Sequence, residues 1–321
     1  MTARESFEDE LRKQQAYQAE LKAKGRYEPV DLLAMMNHEG HEVDWLVEDL
    51  WPIGRSIHIH AQRKAGKSLN SLWMACCIAL GRDPFTGEPI PPRRVGYWDF
   101  EMTLDDLRER IADMGFDVMA LSKMLNYYQM ASLPPLDTEL GGRYLLEQAV
   151  LMGEEVVFID TMSRVISGDE NSSDTYINFY RFTGAPLKAA GISLCRLDHE
   201  GHEGGRSRGS SAKADDVDIV WQLVPTDDGV KYVRKAARIA WVPESLTIRK
   251  SDDPSLTYSR AASAWPEGTK EKATELDDIG APVEISRREA SRLLKEANLT
   301  VGRTMVLNAA IKYRKQRMVF P

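Results

Sequence analysis

The sequence predicts an α/β fold built on a mainly parallel twisted sheet, followed by a small helical unit. Three observations lead there. From residue 56 onward, short apolar or alternating runs that read as strands alternate with longer helix-like segments, the pattern of a parallel sheet with crossover helices. A turn containing glycine and lysine, Ala61 to Ser68, lies between the first of these strands and an apolar helix. A third run, Glu155-Val156-Val157-Phe158-Ile159-Asp160, reads as a buried strand ending on a carboxylate.

Residues 1–42 read as an N-terminal arm whose first part is polar, balanced in charge and rich in helix formers, hence helical or partly disordered. Ser56 to His60 alternates polar and apolar residues, as a strand does. Leu69 to Leu80 is an apolar helix closed by Gly81, and Pro84 to Pro92 a loop. Arg94 to Phe100 is the second strand, followed by a helix from Leu104 to Met114. Leu125 to Met130 reads as a strand, Gly142 to Met152 as a helix, and Asn171 to Ala190 as a helix broken near Gly184-Ala185-Pro186. Ile192 to Asp198, Asp218 to Leu223 and Lys231 to Arg238 are further strands, with a Gly- and charge-rich loop over 201–208. These elements place a core domain at 43–253, a polar linker at 254–278 and a small helical domain at 279–321.

Composition narrows the function. Of 321 residues 43% are hydrophobic, enough for a buried core, yet no run of 18 apolar residues suggests a membrane span. The charged, Gln-rich start is unlike a signal peptide, and three cysteines, two of them adjacent in an apolar helix, read as buried thiols of a cytoplasmic protein. Net charge is −7, but residues 281–321 carry nine Lys/Arg against three Asp/Glu, leaving the rest strongly acidic. A basic tail on an acidic body fits a nucleic-acid contact and equally a solvated helical surface.

The loop carries the chemistry. In the pattern G-x-x-x-x-G-K-[ST], backbone N–H groups and a helix N-terminus surround phosphates. Here the first Gly is replaced by Ala61, and Gly66-Lys67-Ser68 match. Ala61, Gln62, Arg63, Lys64, Ala65, Gly66, Lys67, Ser68 and Leu69 are therefore the expected nucleotide-binding residues of an ATPase, with Lys67 at the β/γ-phosphates and the Ser68 hydroxyl on Mg²⁺. Asp160, after four apolar residues, is placed to act on the same Mg²⁺. Glu101 follows the second strand at its carboxyl end, where ligands of open α/β sheets lie, and can polarise the attacking water; Asp99 competes for that role. Asp198 and His199 end another strand, suited to sensing the γ-phosphate. A metal reading of His199-Glu200-Gly201-His202-Glu203, which recurs at His38–Glu42, fails because the His spacing is three rather than four and no third ligand is evident.

The order of these segments resembles the RecA-like hexameric helicase and ATPase superfamily, and within it the RepA-like AAA proteins of plasmids, phages and actinobacterial mobile elements. The resemblance spans Val43 to Tyr258 and rests on Lys64–Ser68, Tyr97–Glu101, Phe158–Thr161, Leu197–His199, Arg208–Ala212 and Asp216–Trp221. It implies Glu101 as the catalytic Glu, Asp160 as the Walker B Asp and His199 as the sensor. It implies that Arg206, Arg208 and Lys213 face a channel for DNA, single-stranded in helicase relatives. Lys235 and Arg238 would be the fingers that reach a neighbour's ATP, though spaced K-x-x-R rather than K-x-R. The implied function is an ATP-hydrolysing motor on DNA, helicase-like, working as a hexameric ring. A recombinase-like ATPase that coats DNA, or a regulator in which ATP sets the oligomeric state, remain open. Ile285–Ala290 and Val301–Thr304 resemble a helix-turn-helix or winged-helix unit, with a helical hairpin packed on the core as the alternative.

Overall fold

The computed structural model describes residues 30–33, 43–170, 172–199, 216–239, 242–261 and 268–317. The chain divides into two compact units, Met1–Asp44 and Trp45–Pro321. The expected N-terminal arm lies almost wholly outside the described residues, and everything below concerns the second unit.

Its centre is a nine-stranded sheet. A short hairpin of β1 (Trp45–Val47) and β2 (Trp51–Pro52) precedes it. The sheet strands are β3 (Ser56–Ala61), β4 (Val95–Asp99), β5 (Leu125–Gln129), β6 (Val156–Asp160), β7 (Ser193–His199), β8 (Ile219–Thr226), β9 (Gly229–Ala237), β10 (Ser245–Ser251) and β11 (Thr257–Arg260). They lie in the order β11-β10-β9-β8-β3-β7-β6-β4-β5. From β8 to β5 neighbours are parallel; β8 to β11 form an antiparallel extension. The mixed α/β class with a mainly parallel sheet is as expected from the sequence.

Strand alternation builds two apolar faces. Tyr97, Phe158, Cys195 and Leu197 face one core with α1 (Lys67–Ala79), α2 (Leu104–Met114) and α3 (Val118–Leu121). Trp98, Val157, Ile159 and Leu194 face the other, with α4 (Glu139–Met152), α5 (Ser173–Phe179) and α6 (Ala185–Ala189). Nearly all of α1 is buried, which explains a sequence apolar around its circumference. Between α5 and α6 the chain winds as a π-helix over Tyr180–Gly184, where sequence placed the break. Gly142 of α4 lies against it: a Cβ there would sit 1.9 Å from the Phe182 carbonyl oxygen.

The segment expected as a linker, 254–278, is largely structured. Thr257–Arg260 is the edge strand, and Thr269–Asp278 is a helix, α7. Neither these two nor β10 was legible as structure, because short elements with one charged, exposed face read as polar connections. Leu246, Ile248 and Tyr258 nevertheless bury in the first core. Then α7, α8 (Arg287–Glu296) and α9 (Thr304–Arg317) pack about Ala273, Leu276, Ala290, Leu294, Leu307 and Ala310. No strand occurs among the described residues after Arg260, so they contain no wing. Seven residues join α8 to α9, more than the short turn of a helix-turn-helix.

Candidate active site

The phosphate-binding loop is set by its backbone. Ala61 ends β3, buried and paired with His199 of β7 and Leu223 of β8. Positive φ is carried instead by Lys64, at 64°, and by Gly66, at 82°, which caps α1. An alanine at the first position of the motif therefore meets no backbone demand for glycine. The loop opens on a cleft of about 310 Å³ lined by Gln62, Lys64 to Leu69, Glu101, Arg110 and His199. Of the expected nucleotide-binding residues, Ala61 and Arg63 do not line it.

Beneath the cleft, Lys67 donates to Asp160 Oδ1 at 3.1 Å, and the Tyr97 hydroxyl donates to Asp160 Oδ2 at 3.0 Å. Asp160 is fully buried and Lys67 is 5% exposed. Burial, and the carboxylate beside it, push the Tyr97 hydroxyl well above its ordinary pKa, so it remains a donor. Thr161 ties the end of β6 to β7 by donating to the Leu197 carbonyl at 2.7 Å.

The two candidate bases separate. Asp99 is fully buried and accepts from the Glu101 and Met102 amides at 2.7 and 2.9 Å, and from the Tyr127 hydroxyl. Its oxygens are spent on the turn after β4. That turn carries Glu101 into the cleft, where its carboxylate lies 3.6 Å from His199 Nε2 and 3.8 Å from Arg164 Nε. Glu101 and His199, far apart in sequence, meet because β4 and β7 flank β6 and run parallel to it.

Two arginines were not singled out from sequence. Arg110, from α2, brings into the cleft wall a buried Nη1 without a hydrogen-bond partner. It belongs to a charged, exposed stretch of an amphipathic helix, which gives no signal by itself. Arg164 follows Asp160 on a one-turn helix, Met162–Arg164; its closeness to the Asp160 strand was the one available hint.

Lys235 and Arg238 are exposed and do not line this cleft. Opposite a register shift between Val220 and Trp221, Lys235 is the extra residue of a β-bulge, since Val220 pairs with Ala236 and Trp221 with Arg234. Arg206, Arg208 and Lys213 lie outside the described residues, as does His202. Among the described residues no group of three or more His, Cys, Asp or Glu could hold a metal ion. The residues of the His199–Glu203 and His38–Glu42 metal reading lie, His199 apart, outside the described residues. Ser68 lines the cleft, where a Mg²⁺ with few protein ligands would rest on substrate phosphates and water.

A family model described as an AAA domain matches residues 21–205. The chain belongs to this family. Membership in the AAA domain family supports a P-loop ATPase that binds and hydrolyses nucleotide. The match stops short of β8 to β11, so it does not reach Lys235 or Arg238. No curated protein matches the chain. Among the described residues no helix is long and apolar enough to cross a membrane.

Proposed function

We propose that this AAA protein is a Mg²⁺-dependent ATPase that works on single-stranded DNA as a homo-oligomeric ring, in the manner of a replicative helicase from a phage or mobile element. The observation that carries the reading is the convergence of Lys67, Glu101 and His199 on one cleft, while Lys235 projects from a bulge outside it. The cleft already holds Arg110 in its wall and Arg164 beside Glu101; Lys235 and Arg238, exposed outside it, are the cations left to serve a neighbour's site.

In this reading the amides of Gln62 to Ser68 cradle the phosphates and Lys67 lies along the β- and γ-oxygens. Ser68, with Asp160 behind it, would hold Mg²⁺, which when bound withdraws charge from those oxygens. Glu101 orients the attacking water and takes its proton as the water oxygen bonds phosphorus and the β–γ bridge breaks. Arg238 and Lys235 of a neighbour supply charge opposite the γ-phosphate. His199, beside Glu101, ends the strand leading toward Arg206, Arg208 and Lys213, so DNA at those residues can bias the position of the base.

ATPase rate with and without single-stranded DNA, measured alongside the mass of the assembly, tests this. Turnover stimulated by DNA in an oligomer is expected. A monomer with full activity at every concentration would sink the ring, and failure to displace a strand would move the protein to a DNA-coating ATPase.

A further inference from the structure

The basic charge of the C-terminal helices is unevenly committed. On α9, Arg314 is 1% exposed, donates to Asp277 at 2.5 Å and to the Ala281 and Pro282 carbonyls at 2.5 and 3.2 Å. Lys315 pairs with Glu284. These two hold the helices together. On α8, by contrast, Arg287, Arg288 and Lys295 are exposed and have no carboxylate within ion-pair range among the described residues. They line a groove of about 800 Å³ with Arg292, Ser291 and Thr304, the first residue of α9.

We propose that this groove binds the phosphodiester backbone of duplex DNA. The proposal goes beyond the ATPase reading and stands without it. Arg288, Ser291, Arg292 and Lys295 recur at helical spacing and so form one stripe. From Arg288 to Lys295 the stripe runs about 10 Å, about three phosphate steps along one strand of a duplex. Guanidinium, ammonium and hydroxyl donors are the groups that contact phosphate, and the exposed N-terminus of α9 adds its amides. No aromatic residue lines the groove, so it offers no stacking platform of the sort that single strands need. Glu289 also lines it and lies 4.0 Å from Arg292, which Glu296 holds at 3.3 Å. Arg292 is therefore partly neutralised, and Glu289 opposes an anion.

The test is fluorescence anisotropy of a labelled duplex, its single strand and poly-glutamate with the full-length chain across a salt series. The double variant Arg288→Ala, Lys295→Ala should weaken duplex binding by about tenfold or more at physiological salt and flatten its salt slope by about 1.8, two contacts at about 0.9 each. Glu289→Gln should tighten duplex binding, a gain that damage to the fold cannot produce. Lys315→Ala, outside the groove, should leave the slope unchanged. Basal ATPase should be the same in all four proteins, so failure of the catalytic reading would show separately as absent turnover. The proposal is overturned if the wild type does not bind duplex, if the double variant keeps its slope, or if the loss is confined to the single strand or to poly-glutamate.

Discussion

Glu101 and Glu154 stand toward opposite ends of the same strands, one facing the cleft and the other buried. Glu154 is buried beneath Gly96, accepts from Asn126 and Tyr128 at 3.0 and 2.6 Å, and burial raises its pKa. Glu101 is partly exposed in the cleft, between His199 and Arg164. A strongly perturbed carboxylate is often taken as a mark of catalysis. Here that rule would choose Glu154, at the end of the sheet where α/β proteins place no ligand. The carboxyl ends of β4 and β6 hold their aspartates in hydrogen bonds and leave one glutamate facing the cleft, whereas at the amino end Glu154 is buried. Position relative to the loop, rather than perturbation, distinguishes the site from the scaffold.

The largest effects should fall at the carboxyl end. Arg238→Ala should slow turnover by about 10³–10⁵-fold if it completes a neighbour's site. Lys67→Ala should remove turnover, by at least about 10²–10³-fold, and weaken nucleotide binding. Mixing the two variants should restore part of the activity, since some interfaces then pair an intact loop with an intact finger. Normal ATPase activity in a folded Lys67→Ala protein would break the comparison at its root, and a mixture no more active than its parts would confine the site to one subunit.

Glu101→Gln should keep Mg-ATP binding and turn over about 100-fold more slowly. Asp99→Asn should act on the fold, costing about 1–3 kcal/mol through the turn amides and Tyr127, with little change in turnover of the folded fraction. Thermal melts and single-turnover kinetics on both proteins read this directly. A catalytic loss in Asp99→Asn equal to that in Glu101→Gln would return the role to Asp99.

The strands around the loop were legible by two signals: a nearly uninterrupted apolar run buried on both faces, as in Val156–Ile159, and polar–apolar alternation, as in Ser56–His60. Sequence order alone also brought Glu101, Asp160 and His199 to one region, since parallel strands present their carboxyl ends together. Choosing between Asp99 and Glu101 needed the turn, whose amides claim one carboxylate and free the other. Arg110 was invisible for a different reason: a helix face that meets solvent and one that meets a cleft have the same composition. At β10, β11 and α7 burial is one-sided and the exposed residues are charged, so periodicity was too short to separate strand or helix from linker.

The smallest effect expected is at Glu154, and it has a sign. Desolvation raises its pKa above the ordinary 4.5, outweighing the hydrogen bonds from Tyr128 and Asn126 and the charge of Arg94, all of which lower it. Oε2 is buried with no hydrogen-bond partner, so ionisation there is poorly compensated. A group whose folded pKa is raised contributes stability that is fully present below its unfolded pKa and is lost as pH rises through the folded value. Glu154→Gln keeps an acceptor for Tyr128 and Asn126 and removes the ionisation. Unfolding measured against pH should therefore show the two proteins closest at low pH, with the wild type falling behind as pH climbs above the raised value, by on the order of 1 kcal/mol. Turnover should match wild type throughout. Parallel stability curves would mean that Glu154 is not destabilised by its burial. A loss of turnover in Glu154→Gln comparable to that in Glu101→Gln would mean that chemistry is not confined to the carboxyl end of the sheet.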